Sequence, residues 1–374
     1  MAAADMHHRT AEFRQLFTKV LTQMQQFIGT ANDVVILSSS GTGAMEAAVS
    51  NLTSPGDRVL VLSAGKFGER WTSVAKAFSC VPEVVSAPYG STVSVEEVKA
   101  KLTPDIRVLF MQATETSTGV RHDVSGIAKL LKGSDTLLVV DAITGLGTTH
   151  LDIDADGIDL IIGGSQKALM VPPGLSYLAA SGRAWKRMEQ SKHSRYYFDL
   201  PKERKNQVKG ESAYTPSVAL IAAFGAALDY LEAQGGGDLP AGRRLLIDSA
   251  ERCAAMTRAA VQALGLKLFA TASPAAAVTA VKAPAGADST DIVKRLKSDF
   301  GAVIADGQGE MKGQLFRIAH LGYFDYMDTI SLIGALEHVI SAIAPSSNYE
   351  LGSALAAAQR VFADSARQTQ AAAR

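Results

Sequence analysis

The chain has 374 residues, and its 37 lysines and arginines are balanced by 37 aspartates and glutamates. At roughly 100–200 residues per domain the length predicts two or three domains, and 47% apolar with 20% charged residues is the composition of a soluble globular protein. Zero net charge argues against a nucleic-acid partner, which selects a basic excess, and against polybasic attachment to a membrane.

In chain order, short apolar runs alternate with helical patterns. A strand over 34–37 precedes a helix over 41–52, and a strand over 58–62 precedes a helix over 67–79. A strand over 107–111 leads to a helix over 123–131. The run 137–140 reads as a buried strand ending on Asp141, and 159–162 as another. Apolar runs of this length separated by helices predict a mostly parallel, doubly wound sheet. A long helix over 216–232 then leads into the Gly-rich stretch 235–240, the best hinge or boundary in the chain. Beyond it come a helix over 242–264, short strands near Leu266, Val278 and Phe316, and helices over 288–300 and 325–343, a smaller α+β unit. After Pro345-Ser346-Ser347 an Ala-rich tail places Leu351, Leu355, Ala358 and Phe362 on one helix face, which reads as a helix packed on its own chain.

Three segments carry chemistry. Ser38-Ser39-Ser40-Gly41-Thr42-Gly43 follows a strand and opens a helix, either an ordinary Ser N-cap or an anion site built from amides and hydroxyls. It does not complete G-x-G-x-x-G, because Glu46 stands at the third glycine, and no G-x-x-x-x-G-K-[ST] occurs. Asp141 ends the most apolar strand, where open α/β sheets bind ligands, and is either a helix cap or the partner of a cationic group. Lys167 follows Gly163-Gly164-Ser165-Gln166 and precedes an apolar run. A lysine desolvated there near other cationic groups has a lowered pKa and can form a Schiff base; the alternative is an ordinary solvated surface lysine. Together the three match what pyridoxal phosphate requires: an anion site, a carboxylate for its ring nitrogen and a lysine for its aldehyde.

In these segments and three others the sequence resembles the class V aminotransferases, in the branch of alanine–glyoxylate and serine–glyoxylate aminotransferases, which also holds aspartate aminotransferases. The resemblance covers residues 6–343 in one continuous order. It rests on S-S-G-T-G-A-M-E-A, K-F-G-E-R-W, E-T-S-T-G-V, V-V-D-A-I-T-G-L-G, G-S-Q-K-A-L-M-V-P-P-G and Q-L-F-R-I-A-H-L-G. It implies the fold type I of pyridoxal-phosphate transferases: a large domain with a mostly parallel seven-stranded sheet (1–237), a smaller C-terminal α+β domain (238–345) and a helical extension (346–374). It implies that Lys167 carries the Schiff base and shuttles a proton, that Asp141 pairs with the pyridine nitrogen, and that Ser40, Gly41, Thr42 and Gln166 hold the phosphate. Phe67 would stack on the ring, Ile143 would pack on its other face, and Thr116 and Ser117 would face its substituents. Arg317 would pair with the substrate carboxylate, and Thr215, after Tyr214, would reach the neighbouring subunit's phosphate site in a homodimer with shared active sites. The substrates implied are a small amino acid, alanine, serine or aspartate, and a small 2-oxo acid such as glyoxylate or pyruvate, in a ping-pong cycle.

Family members carry a short Gly- and Pro-rich segment before the position of Met6, which helps to bind the substrate carboxylate. Its expected absence here leaves open a cofactor-binding homologue with impaired catalysis. A lyase of the same fold, such as a desulfurase, is the other alternative; it needs an exposed cysteine, and Phe67 stands where desulfurases stack a histidine. Cys80 and Cys253 are too few for a disulfide framework and suit a reducing compartment. The seven histidines show no metal-ligand spacing. No run approaches the roughly 18–20 apolar residues of a membrane span, and the polar start lacks a signal-peptide core. The expectation is a soluble cytoplasmic enzyme.

Overall fold

The apolar runs pair into one seven-stranded sheet, in the order Asp33–Leu37, Ser176–Ala180, Leu160–Gly164, Leu137–Asp141, Ile106–Gln112, Arg58–Ser63, Val81–Ser86. Only Ser176–Ala180 runs against the rest, pairing antiparallel with both neighbours. The remaining pairs are parallel. Leu137–Asp141 and Leu160–Gly164 are buried at every position, as central parallel strands covered on both faces must be. The structure is a computed structural model that describes residues 6–344 and 349–372.

The helices expected over the first two-thirds are present as Gly41–Leu52, Lys66–Ala77, Val124–Leu131 and Val218–Gln234. One face of the sheet is covered by Val124–Leu131, Val218–Gln234 and a further helix, Ala11–Ile28. Thr10 starts that helix by accepting the Phe13 amide at 3.2 Å, and Gly29 ends it in the left-handed conformation. Its buried Phe13, Phe17, Val20, Met24 and Phe27 form one apolar stripe. On the other face Gly41–Leu52 and Lys66–Ala77 pack over a second core containing Trp71 and Phe110, stacked at 4.7 Å.

A third core lies around the three-stranded sheet Val278–Lys282, Leu315–Ala319 and Ala305–Asp306, with helices Ser289–Phe300 and Tyr326–Ile343. The 25-residue helix Leu239–Ala263, capped by Asp238 just after the Gly-rich turn, joins the cores. Its Leu239 belongs to the first, and Met256, Ala260 and Val261 belong to the third. No strand forms at Leu266; the chain there pairs at the isolated bridge Leu268 to Val281, three residues past the turn that ends this helix.

The tail forms the helix Ser353–Ala372 and lies along Leu239–Ala263. Ala354 and Ala358 are fully buried at that contact, where small side chains let the helices approach closely. Phe362 meets the Tyr326 ring at 4.1 Å. Leu351 does not share this face, because it precedes the helix and is 64% exposed. The Pro345-Ser346-Ser347 break, like the first five residues, falls outside the described residues. No helix among the described residues is long and apolar enough to cross a membrane.

Candidate active site

Six of the seven strands point the same way, so their carboxyl ends line one edge of the sheet, the edge at which such sheets bind ligands. There Asp33–Leu37 delivers Ser40, Arg58–Ser63 delivers Phe67, Ile106–Gln112 delivers Thr116, Leu137–Asp141 delivers Asp141, and Leu160–Gly164 delivers Lys167. These side chains meet in one cavity of about 180 Å³, lined also by Gly41, Thr42, Arg70, Thr114, Ile143, Thr144 and Gln166. Segments far apart in sequence are thus brought together by strand order alone.

The helix start at Ser40 is open. Its backbone is extended and its hydroxyl makes no cap hydrogen bond. The Gly43 and Ala44 amides turn back to the Ser40 carbonyl, at 2.9 and 3.3 Å, so the Gly41 and Thr42 amides are left at the positive end of the helix. A Cβ on Gly41 would lie 2.2 Å from the end of the Ile143 side chain in the cavity wall, which would have to shift to admit it.

Asp141 is buried and accepts one hydrogen bond, from the Ile143 amide at 2.9 Å. Burial pushes its carboxyl up to about 7; that amide opposes the shift, the Glu115 charge adds to it, and Arg70 and Lys167 oppose it more weakly. Lys167 sits in the turn after Leu160–Gly164, half-buried. Burial lowers its pKa, Asp141 opposes that, and Arg317 reinforces it. Burial in the cavity therefore shifts both groups toward their neutral forms.

Glu115 and Arg70 are the residues that sequence reasoning missed. Glu115 is fully buried, and its carboxylate accepts the amides of Phe67 and Gly68, each at 3.1 Å, the Ser117 hydroxyl at 2.5 Å and the Gln112 side-chain amide at 3.1 Å. Gly65 gives helix Lys66–Ala77 no side-chain cap, so Glu115 caps it from another segment and fixes the turn that carries Phe67. Arg70 follows Phe67 by one turn, so its position on the same helix face was the available signal. Its guanidinium lies 4.8 Å from the Phe67 ring centroid and donates to the Thr42 hydroxyl at 3.1 Å.

Three expected residues stand outside the cavity wall. Ser117 is buried with its hydroxyl committed to Glu115 and to the Lys66 amide, so it holds the helix start in place of facing a ligand. Arg317 is buried behind the Thr116 loop, donating to the Thr116 carbonyl at 3.0 Å and to the Asp306 carbonyl at 3.1 and 2.8 Å. Thr215 is exposed and does not line the cavity of its own chain. Among the described residues no cluster of three or more His, Cys, Asp or Glu is placed to hold a metal ion.

The family model of the class V aminotransferases matches residues 1–311. The chain belongs to the class V aminotransferases. It is 37% identical over 361 residues to a protein named soluble hydrogenase, small subunit, of Synechococcus sp., covering 95% of this chain and 92% of that one. It is 32% identical over 375 residues to the L-aspartate–glyoxylate aminotransferase of Paracoccus denitrificans, covering 98% and 91%. The aspartate aminotransferase of subgroup IV from Thermus thermophilus superposes with a TM-score of 0.84 at 34% identity, covering 91% and 94%. For a class V aminotransferase the donor set is apt: an open helix start, a buried carboxylate and a lysine of lowered pKa share one cavity, the complement of a phosphate, a pyridine nitrogen and an aldehyde.

Proposed function

We propose that the protein transfers the amino group of a small L-amino acid, alanine, serine or aspartate, to a small 2-oxo acid such as glyoxylate or pyruvate, with pyridoxal 5′-phosphate as carrier. The observation that carries this reading is the convergence of Lys167, Asp141 and the Ser40–Thr42 helix start in one cavity. Pyridoxal phosphate, when bound, supplies the electron sink and holds the amino group between the two halves of the cycle.

The chain's own residues divide the remaining work. Ser40, Gly41, Thr42 and Gln166 bind the phosphate. The Asp141 carboxylate keeps the pyridine nitrogen protonated, and Phe67 and Ile143 bound the ring. The Lys167 amine, deprotonated more readily than an ordinary lysine, would hold the cofactor through its aldehyde, with loss of water, and would serve as the group that accepts and returns the substrate's proton. Thr116, hydrogen-bonded to Thr144 at 2.9 Å, faces the ring substituents, and Ser117 supports that loop from behind. Arg317 takes the substrate carboxylate once its hold on the Thr116 carbonyl is exchanged for it. Thr215, exposed on its own chain, fits a contribution to a partner's site in a homodimer.

The cavity presents a lysine, a carboxylate and an anion-binding helix start, the donor set of amino transfer, which supports this reading over the soluble hydrogenase name that one relative bears. The desulfurase alternative has no observation in its favour, since Cys80 and Cys253 are both buried. Borohydride reduction in the presence of pyridoxal phosphate, followed by peptide mapping, tests the assignment. The pyridoxyl group is expected on Lys167 and is expected to be absent from Lys167→Ala; a label elsewhere, or none in the wild type, overturns it.

A further inference from the structure

We propose that Arg70 is a phosphate-binding residue of this cavity, closing the anion site from the helix beside the one that begins at Ser40; the proposal rests on the pyridoxal-phosphate reading above. Arg70 lines the cavity with Ser40, Gly41 and Thr42. Its Nη1 donates to the Thr42 hydroxyl at 3.1 Å, which anchors the guanidinium at the helix start. It has no carboxylate within 4.0 Å among the described residues, whereas Arg58 pairs with Glu83 and Asp105, Arg187 with Asp57 and Arg204 with Asp33.

Among the described residues this half-buried guanidinium is held only by a hydroxyl and an aromatic face, which leaves most of its five donors available. The cavity wall carries two cationic side chains, Arg70 and Lys167, against one carboxylate, Asp141. Once Lys167 is neutral and Asp141 is paired, the charge left for a dianionic group is that of Arg70. Its planar fork matches two phosphate oxygens, and the amides of Gly41 and Thr42 meet the phosphate from the other helix. The competing reading, in which Arg70 grips a substrate carboxylate, fits less well. The substrate arginine Arg317 is tied to the Thr116 loop, while Arg70 is tied to Thr42.

Titrating the cofactor-free protein with pyridoxal phosphate, with pyridoxal, and with inorganic phosphate as competitor separates these cases in the wild type, Arg70→Gln and Arg70→Lys. Arg70→Gln is expected to weaken pyridoxal phosphate binding by roughly tenfold or more, the scale of a charge-assisted hydrogen bond. Pyridoxal, which lacks the phosphate, should bind nearly unchanged, and inorganic phosphate should compete less well than in the wild type. Arg70→Lys keeps the charge without the fork and should fall between. If Arg70→Gln does not fold, the Lys variant makes the same comparison through a selective loss for the phosphate-bearing ligand. Equal weakening of both ligands, no weakening of either, or a raised KM for aspartate with unchanged pyridoxal phosphate affinity overturns the proposal. A wild type that binds neither ligand refutes the cofactor reading itself.

Discussion

Burial acts on the two central ionisable groups of the cavity in opposite senses, raising Asp141 to about 7 and lowering Lys167 from its ordinary value. For Asp141 the folded, cofactor-free chain keeps a proton that the unfolded chain releases near pH 4. The folded state then binds more protons over that interval, so this group's contribution to stability is complete below about pH 4 and is lost as pH rises towards about 7. Asp141→Asn cannot titrate. Urea unfolding of the cofactor-free proteins between pH 5 and 8 should show the wild type losing stability relative to the variant as pH rises; a constant difference would remove burial as the cause. Asp141 and Lys167 were legible because each follows an apolar run that could only be a buried strand. Glu115 and Arg70 were not, because their roles arise where segments about 30–50 positions apart cross, Arg70 on Thr42 and Glu115 on the Phe67 amide.

The helix Lys66–Ala77 shows how one element depends on another for its start. Its N-terminal amides are satisfied by Glu115, and the approach is close enough that a Cβ on Gly65 would lie 2.5 Å from both the Glu115 carboxyl carbon and the Ser117 hydroxyl. Gly65→Ala is therefore expected to displace Glu115, to cost about 1–3 kcal/mol of stability as overpacking does, and to weaken cofactor binding through Phe67. Chemical denaturation with a parallel cofactor titration checks both; a variant as stable and as tight-binding as the wild type would contradict the capping account. Elements were legible where they were long and periodic or fully apolar. Two strands of the seven-stranded sheet escaped. Val81–Ser86 carries Pro82 and Glu83, tolerable because it is an edge strand, and Ser176–Ala180 lacks β-branched residues although all five positions are buried. The helix Ala11–Ile28 carries a regular apolar stripe and a Thr cap, signals that lie in the sequence itself.

At the scale of the molecule, the parallel sheet converts sequence order into a site by bringing five strand ends to one edge. The third core is tied to that sheet by Leu239–Ala263, and Arg317 reaches the Thr116 carbonyl from its strand Leu315–Ala319. The two cores are thus hydrogen-bonded to each other beside the cavity, where a substrate carboxylate would bind. The order of the six motifs made this arrangement readable in outline from sequence, while the withdrawal of Arg317 onto backbone carbonyls depends on packing that no motif records. Amino transfer itself is tested most directly by loading the protein with pyridoxal phosphate and following the cofactor's absorbance. L-alanine, L-serine and L-aspartate would be added in turn, and then glyoxylate. The account predicts that at least one donor bleaches the long-wavelength band, that glyoxylate restores it, and that Lys167→Ala shows neither change. A loaded wild-type protein whose band is unaffected by all three donors would contradict it.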